Sequence, residues 1–430
     1  MILGKNIGGV YSGGKEIQRV FSYGKLVWEK EPIDYTIIPF TVKAVDDDVN
    51  VRVIMDKDSG SVKYTFNGVD WNIIDETTDI HLNINDSISI ITTNIRRILI
   101  QGLSDVYGNI MSLEYGDNFI GQTAWVGSNV DSYGLFYETD IRSAKNLILP
   151  ATTLSEGAYR AMFSGCISLT KAPELPATTL SPYCYHSMFA GCSSLTKAPS
   201  LPATILAEGC YMEMFAGEGG TGIIDPNHKA SGLTVAPDLP ATTLSPACYL
   251  SMFAGCVNLT VAPELPATTM TESCYEGMFM GCNSLTKAPS LPATTLASGC
   301  YRYMFYCCTS LKTAPSLPAT TLVDRCYPMM FYGCSSLTKA PDLPADKLTA
   351  YCYARMFSKC NNLNYIKCYA TSVESNINIR DVFGDVVYPD EIWENWTTGV
   401  ASKGVFACKS KLATSLKQHI PSTWTVEYLN

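Results

Sequence analysis

One block of apolar and polar positions, read from Cys184 to Leu206 as CYHSMFAGCSSLTKAPSLPATIL, returns with small changes along more than half the chain. Its Met-Phe pair begins at Met162, Met188, Met214, Met252, Met278, Met304, Met330 and Met356. Six of the seven steps are 26 residues and one, from Met214 to Met252, is 38, which makes eight units with one insertion of 12 residues. A fixed period of about 20 to 50 residues marks a solenoid, whose units bury their apolar faces only against their neighbours. Within a unit, Ser181 as N-cap, Pro182 at the first helical position and Gly191 as a left-handed stop predict a short helix over residues 182–190. Cys184, Tyr185, Met188 and Phe189 would share its inner face, with His186 and Ser187 pointing away. The LTKAPEL that follows puts Leu169, Ala172 and Leu175 at inward positions of a strand, which Pro173 keeps very short by removing a backbone donor.

Ahead of the repeats the period changes to two. Residues 7–11, 17–21 and 25–28 alternate around SGGK and SYGK turns, so residues 1–31 read as a three-stranded meander, marginal alone and in need of a partner. Residues 32–108 carry six alternating stretches separated by DDD, DKDSG, NG and ND turns and read as an immunoglobulin-like sandwich with Trp71 in its core. The expected organisation is then an entry segment and N-terminal cap over 109–154, the solenoid over 155–370 with its insertion at 218–232, and a C-terminal cap over 371–430. In fold class this is an α/β leucine-rich-repeat solenoid of short parallel strands and short helices, preceded by all-β modules.

Composition narrows the partners. The chain has 31 Lys and Arg against 40 Asp and Glu, a net charge of -9, which is a poor match to a phosphate backbone and argues against nucleic acid. The opening MILGKNIGGVYSGG lacks the apolar core of a signal peptide, and no stretch has the roughly 18 apolar residues a membrane helix needs, so neither conventional secretion nor membrane insertion is expected.

Of the 17 cysteines all but Cys307, Cys368 and Cys408 form two columns: Cys184, Cys210, Cys248, Cys274, Cys300, Cys326 and Cys352 before the Tyr, and Cys166, Cys192, Cys256, Cys282, Cys308, Cys334 and Cys360 following the glycine stop or its replacement. Coils stacked at roughly 4.8 Å with parallel side chains hold Cβ atoms beyond the ~3.8 Å of a disulfide. Buried free thiols acting as small hydrophobes are therefore expected. Zinc would need tight C-x2-C pairs or histidine partners, and only four His exist.

Catalytic motifs do not emerge either. GEGGTG at 217–222 follows no strand and lacks the Lys-Ser/Thr of a phosphate loop, DKDSG at 56–60 lacks the later ligands of a calcium loop, and His186 stands at a position other units fill with Arg, Met, Leu, Glu or Pro. No enzyme activity, cofactor or metal is expected.

The unit CYxxMFxGCxxLTKAPxLPATTL resembles the BspA-like leucine-rich repeats of gut Bacteroidales and their phages, over roughly residues 149–369. NIMSLEYGDNF (109–119) and the closing NWTTGVASKGVFACKSKLATSLKQHIPSTWTVEYLN resemble entry and exit segments of such proteins. KNIGGVYSGGKEIQRVFSYGKLVWEK resembles a small N-terminal module of phage and prophage structural proteins. The resemblance implies adhesion rather than catalysis: a tail-associated virion component, joined to other virion proteins through residues 1–31 and presenting its solenoid to a host cell-surface polysaccharide or protein, as a possible homo-oligomer. The alternative is a bacterial surface or secreted adhesin of the same type.

In a solenoid the framework columns are fixed by packing, so ligand contact falls to the positions that vary. The candidates are Lys171, Lys197, Lys287 and Lys339, aligned on the strand face with Val235, Val261 and Thr313, and the aromatic group Tyr303, Tyr306 and Tyr332.

Overall fold

A computed structural model describes residues 33–55, 62–74, 78–93, 95–125, 134–217, 230–373, 398–410 and 420–429, together with the backbone of four short strands between residues 10 and 29. Most of the insertion at 218–232 and the DKDSG stretch lie outside these residues.

The four N-terminal strands form two antiparallel ribbons, Val10–Ser12 with Lys15–Ile17 and Arg19–Ser22 with Lys25–Glu29. This differs from a single three-stranded meander. The stretch 15–22 divides after Ile17, so that each part pairs with its own hairpin partner.

Two antiparallel sheets follow. Ile95–Gln101, Val49–Met55 and Asp79–Leu82 make the smaller one; Thr41–Ala44, Ser87–Ile91, Val62–Thr65, Asn72–Ile74 and Ser104–Asn109 belong to the larger. Val49–Met55 buries every second residue, as its alternation requires for a sheet wet on one side. Phe40, Val51, Val53, Ile88, Ile90 and Ile98 are fully buried between the sheets. Trp71, expected in this core, is instead 36% exposed. It leaves a turn organised by the Asn67 side chain, which accepts from the Val69 and Asp70 amides, and enters the edge strand Asn72–Ile74, which three strands cannot cover across a six-stranded sheet.

That larger sheet does not end at residue 108. Ser104–Asn109 pairs antiparallel with Thr41–Ala44 on one side and parallel with Ile141–Ile148 on the other. Ser143 of this last strand forms a parallel bridge to Lys171 of the first repeat unit. The side chains follow the same path. Phe40 stacks on Phe136 at 5.3 Å, Phe136 on Phe163 at 5.3 Å and Phe163 on Phe189 at 5.6 Å, and the column continues ring on ring to Phe357. A second column begins at Trp125, 5.5 Å from Tyr159, and runs through the buried tyrosines to Tyr353.

The segments expected to be helices are runs of turns. Around Ser181–Cys192, the amides of Cys184, His186, Met188 and Ala190 donate three residues back, to the carbonyls of Ser181, Tyr183, Tyr185 and Ser187. The amides between them, of Tyr183, Tyr185, Ser187, Phe189 and Gly191, donate to Glu208, Cys210, Met212, Met214 and Ala216 in the next unit. An α-helix would direct all of them four residues back within the unit.

The reason is spacing. Helices pack with axes about 8–10 Å apart, whereas rings in adjacent units stand only 5.5 to 6.0 Å apart along the tyrosine column. To turn so tightly the backbone enters the left-handed region every fourth residue, at Tyr183 (φ 57), Ser187 (φ 55) and Gly191 (φ 70). Ser181, expected as an N-cap, donates its hydroxyl to the Leu154 carbonyl of the preceding unit at 2.6 Å, and Ser245 does the same to Leu206 at 2.7 Å.

On the opposite face the strands are as short as the prolines predict. Through most of the stack only isolated parallel bridges form, among them Lys197 with Val235 and Lys287 with Thr313. Longer strands return at the C-terminal end, where Lys339–Leu343, Tyr365–Cys368, Val405–Lys409 and Thr425–Leu429 pair in parallel in that order.

Candidate functional site

Lys171, Lys197, Lys287 and Lys339 lie in one column of the strand face, and all four are exposed. Val235 and Val261 fill two places in that column at 58% and 70% exposure. Three residues further along each coil runs a second exposed column, Glu174, Ser200, Asp238, Glu264, Ser290, Ser316 and Asp342. Between the columns sit an alanine and a buried proline, because the strand must pack its leucines inward and can leave only small groups beneath the surface. The result is a groove crossing three consecutive coils, with Val261, Lys287 and Thr313 on one rim, Glu264, Ser290 and Ser316 on the other, and Ala262, Ala288 and Ala314 along its floor. Alignment of the lysines was legible in the sequence. The groove was not, although the invariant alanine between two variable columns was its signal.

The C-terminal end of the lysine column is occupied by the protein itself. Lys339 Nζ stands 5.3 Å above the Tyr365 ring, and Lys367 reaches Asp342 at 3.5 Å.

The tyrosines occupy a different segment of the coil, the turn face, so the structure does not join them to the lysines. Tyr306 stacks on Tyr332 at 4.7 Å with rings 3° from parallel, and Tyr303 meets Tyr306 edge-on at 5.8 Å. Tyr332 was expected as an exposed contact and is only 8% exposed. Tyr306 covers one side of it, and Lys359 Nζ lies 5.1 Å from its ring centre. Tyr303 and Tyr306 are half-buried against a small apolar group of Ala216, Ala254 and Met280. Arg302, which the sequence did not single out as a partner, lies 4.6 Å over Tyr303 and 3.6 Å from Glu276. His186, expected to point outward, is half-buried with Nε2 3.5 Å from Glu213. Burial pushes the Glu213 carboxyl up, but hydrogen bonds from His186 and Ser187 outweigh it and hold the group below its ordinary value.

The cysteines are unpaired, and all except the half-buried Cys307 are buried. In the second column each thiol donates to the phenylalanine carbonyl of the preceding unit: Cys192 to Phe163 at 3.1 Å, Cys282 to Phe253 at 3.2 Å, Cys334 to Phe305 at 3.1 Å. The first column lacks this contact with a phenylalanine; the thiols of Cys300 and Cys326 instead make long contacts to the Cys326 and Cys352 carbonyls of the following unit, at 3.9 and 4.0 Å. Burial pushes Cys166 and Cys274 up to about 11 and Cys184, Cys256 and Cys300 up to about 12. Such thiols are poor nucleophiles at neutral pH. Among the described residues no three His, Cys, Asp or Glu side chains are grouped to hold a metal ion, and no helix is long and apolar enough to cross a membrane.

With this geometry in place, residues 249–379 match the family model of the BspA type leucine rich repeat region, in 6 copies. The repeats in this stretch are BspA-like. Units beginning at Met162, Met188 and Met214 precede the matched stretch yet share its period and its stacked rings. No curated protein and no solved structure matches the chain.

Proposed function

We propose that this chain is a non-catalytic surface adhesion protein whose repeat solenoid recognises a polysaccharide or protein on a target cell. The observation that carries the reading is the BspA type repeat region, whose buried columns are nearly constant while exposed columns change from coil to coil. A regular, open surface of this kind suits an extended ligand better than a small molecule that needs a closed pocket. The labelled intact protein should bind target cells saturably. A folded protein that binds neither bacterial nor animal cells would overturn the reading.

In its finer form the proposal places the chain on a phage virion, tail-associated and anchored through residues 1–31 to other virion proteins. Support comes from the resemblance of the opening segment to phage and prophage modules and from the marginal stability of isolated two-stranded ribbons. Deleting residues 1–31 should then leave a soluble repeat protein that no longer enters the particle. Antibody labelling of cells rather than of particles would place the same adhesin on a bacterial surface.

A further inference from the structure

We propose that the strand-face groove holds a linear polysaccharide that carries both ammonium and carboxylate groups, laid along the stack with about one sugar ring per coil; this rests on the adhesion reading above.

The argument begins with charges left apart. Elsewhere on the surface opposite charges meet, as Arg142 and Asp105 do at 2.6 Å and Lys63 and Asp117 at 2.6 Å. Lys287 on one rim of the groove and Glu264 on the other lie on adjacent coils and make no ion pair, and Lys171, Lys197, Glu174 and Asp238, which continue the same two columns on coils outside the groove, make none either among the described residues. The alanine floor holds the rims apart and leaves room for a chain between them. A purely anionic polymer would meet Glu264, and a purely cationic one would meet Lys287. A polymer with both charges satisfies both rims, and the exposed Val261 on the groove's rim offers apolar contact to the C–H faces of sugar rings.

Polypeptide fits less well. The coils are joined to each other by their own parallel bridges, and Pro263, Pro289 and Pro315 remove donors, so a peptide strand finds no backbone ladder to extend. Same-side residues of an extended peptide also recur at about 6.6 Å against a coil step of about 4.8 Å, and so drift out of register within three coils.

The test is titration of the intact protein with partially N-deacetylated hyaluronan, which carries amine and carboxylate, against hyaluronan, chitosan and an alternating poly(Glu-Lys) peptide. The zwitterionic polysaccharide should bind at least about tenfold tighter than each of the others, and more weakly as salt rises. Lys287→Glu and Glu264→Lys should each weaken it about tenfold with unchanged melting temperature, because both side chains are exposed. The double variant K287E/E264K should recover most of the affinity, since the polymer can bind the other way round. Equal binding of hyaluronan or chitosan, tighter binding of the peptide, no binding of any probe, or indifference to both charge reversals would overturn the proposal. If the protein still adheres to cells in those cases, the adhesion reading survives; if the zwitterionic polymer binds but cells do not, only the adhesion reading falls.

Discussion

Phe40 and Phe136, stacked at 5.3 Å, join two regions that fill their cores by different rules. On the sandwich side the core is a mixture of Val51, Val53 and Ile98 from one sheet and Ile88 and Ile90 from the other, all fully buried. On the repeat side the neighbour of each core residue is another copy of itself: phenylalanine on phenylalanine at 5.7 Å from Phe253 to Phe279, tyrosine on tyrosine at 5.8 Å from Tyr249 to Tyr275. Both distances fall in the ~4.5–7 Å range at which stacked aromatic pairs add stability beyond their area. An alternating sheet accepts any hydrophobe of about the right size. A column does not, because each member must fit above and below at once, and any polar capacity it has is repeated at every step.

Alkaline pH should separate the regions most strongly. Burial pushes Cys184 and Cys352 up to about 12 and raises Tyr249 and Tyr301 above the ordinary range. A raised acid keeps its proton in the folded chain after the unfolded chain has lost it, so stability is intact below the unfolded value and falls as pH climbs through it, by about 1.4 kcal/mol per pH unit for each group. Residues 33–108 contain no cysteine, and Tyr35, Tyr64 and Tyr107 there are half-buried. Near-ultraviolet circular dichroism of the repeat tyrosines should therefore be lost steeply above about pH 9, together with a burst of thiol reactivity. Thiols that ionise one by one near 9 without any loss of the signal would show that the columns are not as dry as their packing implies.

The two cysteine columns provide the next contrast. Cys282→Ser keeps a donor for the Phe253 carbonyl, whereas Cys248→Ser places a hydroxyl in the first column, whose thiol–carbonyl contacts, at Cys300 and Cys326, are long, 3.9 and 4.0 Å. Chemical denaturation should show Cys248→Ser costing about 1–3 kcal/mol and Cys282→Ser clearly less. Equal losses would mean that the S–H donors contribute nothing beyond volume. The denatured wild-type protein should titrate with nearly all of its 17 thiols free.

Much of this was legible from residues alone. The eight units, the inward positions of Cys184, Tyr185, Met188 and Phe189, and the short proline-limited strands follow from period and composition. The helix did not, because spacing at i, i+1, i+4 and i+5 fits a four-residue turn as well as a helix. The missed signal was glycine: Gly209 and Gly299, Gly277, and Gly191, Gly255 and Gly281 fall in three columns four residues apart, an arrangement that would weaken a helix interior but suits a left-handed residue every four. Trp71 and Tyr332 were misplaced for a shared reason. Residue type gives a tendency to be buried or exposed, and only the tertiary neighbours, an uncovered sheet edge for one and the Tyr306 ring for the other, decide between them.

A smaller effect tests the tyrosine column itself. The Tyr211 hydroxyl is buried without a hydrogen-bond partner, so Tyr211→Phe removes an unsatisfied polar atom while keeping the stacked ring. It should stabilise by about 1 kcal/mol, against little change for Tyr249→Phe, whose hydroxyl is not among the unsatisfied atoms. Destabilisation of both by similar amounts in thermal melts would indicate that the tyrosine hydroxyls form a bonded ladder.

The smallest expected effect tests the left-handed turns. Ala247 holds φ at 51°, in the same column where Gly209 and Gly299 hold φ at 55° and 67°. A left-handed conformation costs an L-residue about 1–2 kcal/mol, and replacing it by glycine adds roughly 0.5–1 kcal/mol of chain entropy in the unfolded state. Ala247→Gly should therefore raise stability by about half a kcal/mol, because alanine gives up only a half-buried methyl group. The reverse change at Gly209 is not an equivalent test, since a Cβ there would meet the Tyr183 ring at 2.5 Å. A measured loss at Ala247→Gly would mean that this backbone is not left-handed, and the alternating pattern of turn and inter-unit hydrogen bonds that sets the repeat face apart from the sandwich would have to be redrawn.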